Sequence, residues 1–182
     1  GDIVECGVWR GGSAMLAALT LIKSQQTHRK IYLYDTYEGM PEPTDKDIDI
    51  HGVPYRLLWK KEKEFLSVSL DEVKKNIFST GYPKENIIFV KGMVQDTIPN
   101  TVPKQIALLR LDTDLYESTY HELFHLYPKT TSQGVIIIDD YGHFQGSQEA
   151  TEKYLSQNPQ KVLLHRIDYS CRVWIKPSPT QK

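Results

Sequence analysis

Short runs that are apolar at successive positions, spaced by helix-length stretches, constrain this chain more than any other feature. They are Ile3-Val4, Ile31-Tyr32-Leu33-Tyr34, Ile87-Ile88-Phe89-Val90, Ile106-Ala107-Leu108-Leu109 and Val135-Ile136-Ile137-Ile138. A strand with one buried face alternates apolar and polar, so these runs predict strands covered on both faces, as in a parallel sheet. Between them, Ser13 to Ser24, Glu62 to Thr80, Ser118 to Leu126 and Ser147 to Ser156 carry helical patterns. Strand then helix, repeated, predicts an α/β fold. The end of the chain differs. Val162-Leu163-Leu164-His165 and Arg172-Val173-Trp174-Ile175 flank a short polar stretch, which predicts a closing hairpin with one strand antiparallel. With 182 residues, 40% of them hydrophobic and 25% charged, a single domain over 1–182 is expected.

Charge and cysteine usage exclude several function classes. Lysine and arginine total 22 against 23 acids, a formal charge of −1, so no basic stripe for nucleic acid arises from composition. No apolar run approaches the roughly 20 residues of a membrane-spanning helix. Cys6 and Cys171, at opposite ends of the chain, form neither a metal pair nor a disulfide framework, which predicts a cytoplasmic setting. Residues 41–56 combine Pro41, Pro43 and Pro54 with Glu42, Asp45, Asp47 and Asp49, and predict a surface loop, either a lid or a plain insertion. The mixed-sign run Lys60-Lys61-Glu62-Lys63-Glu64 predicts a solvated helix face.

Three motifs can carry chemistry. Glu5-Cys6-Gly7-Val8-Trp9-Arg10-Gly11-Gly12-Ser13 stands where the first strand turns into a helix. Glycines there permit a tight turn and close backbone approach, and the helix start presents free amides to a nucleotide-like cofactor. A purely structural turn has the same pattern. Asp35, at the end of the second strand, is where doubly wound folds place an acceptor for ribose hydroxyls. Leu111-Asp112-Thr113-Asp114-Leu115-Tyr116 and Asp139-Asp140-Tyr141 follow the fourth and fifth strands. If strand geometry persists, the spacing of Asp112 and Asp114 turns both carboxylates to one side. Four acids at one sheet edge require shared protons or a cation, and an all-oxygen donor set favours Mg²⁺. The alternative is a set of unrelated turn and N-cap aspartates. His143, just beyond, is either a substrate contact or a surface histidine.

His121-Glu122-Leu123-Phe124-His125 fits the H-E-x-x-H pattern of zinc peptidases, with Glu122 as the group that activates water. No third histidine follows at metzincin spacing. The competing expectation is a helix whose polar stripe faces water.

The glycine motif, Tyr34-Asp35-Thr36-Tyr37-Glu38-Gly39-Met40-Pro41, Lys91-Gly92, Leu111 to Thr119 and Ile138 to Tyr141 together resemble the macrocin O-methyltransferase family, from about Ile3 to Lys176. That resemblance implies a class I methyltransferase fold, a Rossmann-like seven-stranded sheet whose last strand is antiparallel. It implies S-adenosylmethionine and a divalent metal, used to methylate hydroxyls on sugars or phenols in antibiotic biosynthesis. Carried over by position, Asp112, Asp139 and Asp140 are the metal ligands and Asp114 the general base. Glu5, Gly7, Gly11 and Ser13 take the methionine end of the cofactor, Asp35 its ribose, and Gly92 also lies on the cofactor. Trp9 stands where many methyltransferases outside the family have glycine, which implies a looser backbone contact. The partner implied is a small hydroxylated acceptor, with no nucleic acid and no membrane. Family members carry helices ahead of the first strand that help to enclose the site and build a homodimer, and none precedes Gly1. Two other function classes stay open from the residues alone: the zinc peptidase, and a non-catalytic cofactor-binding remnant.

Overall fold

The computed structural model describes residues 1–158 and 161–178. Its sheet has seven strands: β1 (Asp2–Cys6), β2 (Ile31–Asp35), β3 (Ile87–Lys91), β4 (Ile106–Leu111), β5 (Thr130–Ile138), β6 (His165–Arg166) and β7 (Arg172–Ile175). They lie in the order β3-β2-β1-β4-β5-β7-β6. The first five are parallel to one another, β7 is antiparallel to β5, and β6 is antiparallel to β7. The strand order reverses between β1 and β4. A crevice opens at the carboxyl ends of strands at such a reversal, so the fold itself locates the site.

Six helices accompany the sheet: α1 (Gly12–Lys23), α2 (Arg56–Leu66), α3 (Leu70–Phe78), the short α4 (Val94–Thr97), α5 (Tyr116–Leu126) and α6 (Gln145–Ser156). Successive side chains of a strand point to opposite faces, and the successive apolar residues feed two cores. Ile31 and Leu33 of β2 pack with Ala14 and Ala18 of α1 and Val73 and Ile77 of α3. Tyr34 joins Val4, Cys6, Leu109 and Ile136 under Leu123 and Leu126 of α5. Each fully buried aliphatic side chain contributes about 1.5–3 kcal/mol. The double coverage expected of a parallel sheet is therefore what holds it.

The structure departs from the sequence expectation in three places. The stretch Glu62 to Thr80 is two helices, with α2 starting earlier, at Arg56, and stopping at Leu66. Ser69 causes the restart: its hydroxyl accepts the Glu72 N–H and so satisfies one of the free amides that begin α3. The closing hairpin forms, but its first strand is only His165–Arg166, and Val162 and Leu164 pack on the core outside any strand. The loop of residues 41–56 is anchored more deeply than its polarity suggests, because Asp47 and Asp49 are buried. Asp49 accepts the His51 and Val53 amides. Asp47 accepts the Thr44 amide and hydroxyl and, across 69 residues, the Tyr116 amide at the start of α5.

Candidate active site

The first wall of the crevice is the turn after β1. Gly7 has φ 80°, and a Cβ there would stand 1.9 Å from the Asp112 carbonyl oxygen, so no side chain fits. The same proximity lets the Asp112 amide donate to the Cys6 carbonyl at 2.9 Å, joining the two turns that build the site. Gly11, φ 83°, ends the turn and caps α1. Trp9 adopts φ 46°, taking the left-handed conformation that glycine would adopt freely. Asp35 holds that conformation in place. Its Oδ2 accepts the Val8 and Trp9 amides at 2.7 and 3.2 Å, and its Oδ1 the Tyr37 amide at 2.7 Å. The crevice is lined by Gly7, Asp35, Gly92, Gln95, Asp112 and Asp114. Glu5 is buried near the end of β1 and Ser13 is exposed on the first turn of α1.

The second wall is the turn after β4. Strand geometry ends at Leu111, so Asp112 and Asp114 do not converge by strand alternation as the spacing predicted. They converge because Asp114 takes φ 63°, a left-handed conformation that aspartate tolerates better than most residues. Carboxylate oxygens of Asp112, Asp114 and Asp140 come within 4.8 Å of one another. Asp139 is turned away from this group, with its Oδ1 3.0 Å from Arg110 Nη2.

Arg110 is the residue that sequence reading missed. It is the register partner of Glu5 across β1 and β4, and its Nη1 donates to Glu5 Oε1 at 2.9 Å and to Asp112 Oδ2 at 2.6 Å. One guanidinium thus serves Glu5, Asp112 and Asp139, and the remaining acids crowd each other. Burial pushes the Glu5 carboxyl up to about 7 against the pull of Arg110. It pushes Asp112 up to about 8 and Asp114 up to about 7. Asp140 is carried well above the carboxylate range by burial and by Asp114 beside it.

Three buried oxygens at the crevice or beside it lack a hydrogen-bond partner: Glu5 Oε2, Gln95 Oε1 and Asp140 Oδ2. Such groups are costly unless something pairs with them. Asp140 Oδ2, in a cluster of hard oxygen donors, fits a divalent cation. Gln95 Oε1 on the wall and Glu5 Oε2 below the turn fit a ligand with N–H donors at both ends. Gln95 carried no signal in the sequence beyond its place three residues after Gly92.

The H-E-x-x-H residues do not form a metal site. His121 and His125 stack at 4.4 Å between ring centroids, and His121 Nε2 is committed to the Ile98 carbonyl at 2.9 Å. Glu122 is wholly buried on another side of α5, bonded by Thr113, so the polar stripe does not simply face water either. His143 lies beside the acid turn, half-buried against Phe144 and Tyr169, with its Nδ1 unpartnered.

The geometry has close counterparts among known proteins. A tetracenomycin-type rhamnosyl 4'-O-methyltransferase of Streptomyces olivaceus is 38% identical over 174 residues, 96% of this chain and 65% of that protein. The demethyldecarbamoylnovobiocin O-methyltransferase of Streptomyces niveus is 33% identical over 154 residues, 85% of this chain and 58% of that protein. The chain therefore spans less than two thirds of the length of either relative. The solved structure of the O-methyltransferase NovP superposes with a TM-score of 0.88 at 31% identity, over 98% of this chain and 72% of that one. A family model described as macrocin-O-methyltransferase (TylF) matches residues 1–176, and the chain belongs to that family.

Proposed function

We propose that this chain is an S-adenosylmethionine-dependent O-methyltransferase domain that methylates a hydroxyl of a sugar or phenolic natural product, with a divalent cation, Mg²⁺ first, at its acid cluster. The observation that carries the reading is the meeting of Asp112, Asp114 and Asp140 at the mouth of the crevice that the Gly7 turn begins. The names of the relatives support the acceptor class, since they describe methyltransferases of glycosylated or phenolic antibiotics. When bound, S-adenosylmethionine supplies a methyl group on a positively charged sulfur, and the cation lowers the pKa of a nearby hydroxyl.

The chain's residues then divide the work. Glu5, Gly7, Gly11 and Ser13 receive the methionine end of the cofactor, Asp35 accepts its ribose hydroxyls on lone pairs left by the turn amides, and Gly92 with Gln95 meets its base. Asp112 and Asp140 hold the cation. Asp139, bonded to Arg110 beside them, is the third ligand that the family resemblance implies. Asp114 takes the acceptor's hydroxyl proton, because it lines the crevice and burial pushes its carboxyl up to about 7, where a general base works best. Among the described residues no helix is long and apolar enough to cross a membrane. Free Cys6 and Cys171 suit the cytoplasm.

Calorimetric titration with S-adenosylmethionine and S-adenosylhomocysteine, with and without MgCl₂, tests the binding half. A screen of hydroxylated sugars and phenols for methylated product tests the other. Cofactor binding and EDTA-sensitive methyl transfer are expected. Full transfer in excess EDTA would remove the cation, and binding without transfer to any acceptor would leave a cofactor-binding module.

A further inference from the structure

Glu122, at the centre of the H-E-x-x-H motif, takes no part in the chemistry above, yet it is a carboxyl at 0% exposure between α5 and the sheet. Burying such a group is costly, and an aliphatic side chain would fill the same contact without that cost. Its bonds reach the active site. Thr113 Oγ1 stands 3.0 and 3.1 Å from its two oxygens and donates to them. The Cys6 side chain, also wholly buried, packs in the core beneath α5. Thr113 separates Asp112 from Asp114, and Cys6 is the last residue of β1 before the Gly7 turn. Burial pushes the Glu122 carboxyl well above the ordinary carboxylate range.

The two faces of the sheet grip the same turn. Glu5 and Arg110 are register partners, so their side chains share one face, and Arg110 reaches Asp112 from there. Cys6, next along β1, points to the other face, where Glu122 waits. We propose that Glu122 is a positioning residue that fixes, from the α5 face, the Asp112-Thr113-Asp114 turn, which the Asp112 amide ties to the Cys6 carbonyl ahead of the cofactor turn. The inference rests on reading Asp112 as a cation ligand and Asp114 as the base.

The test uses the whole chain and the variants Glu122→Gln, Glu122→Leu and Thr113→Val. The first readout is hydrogen–deuterium exchange at residues 112–115, where the Asp112 amide is bonded to Cys6 and the Leu115 amide to Thr113. Glu122→Leu and Thr113→Val should speed that exchange by about tenfold, with β4 unchanged. Glu122→Gln keeps an acceptor for Thr113 and should stay within about threefold of wild type. The second readout is Mn²⁺ alone, followed by electron paramagnetic resonance, where Glu122→Leu and Thr113→Val should bind about 10–100-fold more weakly. Wild-type exchange in folded Glu122→Leu and Thr113→Val, or a Gln variant as damaged as Leu, overturns the proposal. Should Glu122→Leu fail to fold, Thr113→Val decides, since it replaces one hydroxyl on a half-buried side chain. A wild-type protein that binds no Mn²⁺ refutes the cation reading alone, because the exchange result still decides the clamp.

Discussion

At the scale of single residues, Arg110 sets what the site tolerates. Its side chain is 19% exposed and Glu5's only 5%, so removing the guanidinium strands a carboxylate in the interior. Arg110→Leu should cost about 3–5 kcal/mol at pH 8, as for other broken buried pairs. The loss should shrink at pH 6, because Glu5 already titrates near 7 and can take a proton instead. Urea unfolding at the two pH values reads this directly, and equal losses would mean that Glu5 does not depend on Arg110 for its charge. Asp114→Asn should leave the fold intact, since asparagine also accepts the left-handed backbone at φ 63°. It should lower kcat by about 10²–10⁴ with cofactor affinity little changed, the usual effect of losing a general base. A kcat close to wild type would take Asp114 out of the mechanism. The aspartates were legible in the sequence because each group follows an apolar strand run. Arg110 was not, since it only follows such a run within β4 and its partner Glu5 is 105 residues away, joined only by the β1–β4 register.

At the scale of elements, α5 depends on a group outside itself. Its N-cap residue, Leu115, has no side chain able to accept a hydrogen bond, and Asp47 from the preceding loop accepts the Tyr116 amide at 2.8 Å instead. Gly146 makes room for it, for a Cβ there would stand 2.7 Å from Asp47 Oδ1. Asp47→Ala should therefore cost about 1–2 kcal/mol, a cap's worth, while Asp47→Asn keeps the acceptor and most of the stability. Chemical denaturation separates the two, and equal stability of all three proteins would show that the cap contributes nothing. Because Asp114 immediately precedes the capped turn, the alanine variant should also lower kcat. Helices α1, α5 and α6 were legible because apolar periodicity marks them locally, whereas a cap supplied by a distant loop leaves no local mark. The break between α2 and α3 was obscured by the helical pattern that continues on both sides of Ser69.

At the scale of the whole molecule, a formal charge of −1 conceals an uneven distribution, because five acids meet at one end of the sheet around Arg110. Below pH about 3 Asp112 and Asp114 hold their protons in both the folded and the unfolded chain. As the pH rises, the unfolded chain releases its protons first, while burial keeps Asp114 protonated up to about 7 and Asp112 up to about 8. The folded state then binds more protons than the unfolded one, so stability falls with rising pH until those values are passed. A divalent cation reverses the balance, for its ligands must be ionised and its binding expels the protons that folding retained. Without added metal, Tm should decline between pH 5 and pH 8, and saturating Mg²⁺ should restore more of it at pH 8 than at pH 5. In calorimetry at pH 6.5 the apparent enthalpy of Mn²⁺ binding should vary with the ionisation enthalpy of the buffer, which counts the protons released. Replacing Asp112 with Asn should reduce that count and weaken binding, because burial pushes its carboxyl up to about 8. An enthalpy independent of buffer would mean that the cluster is already ionised, and that Arg110 alone neutralises the acids.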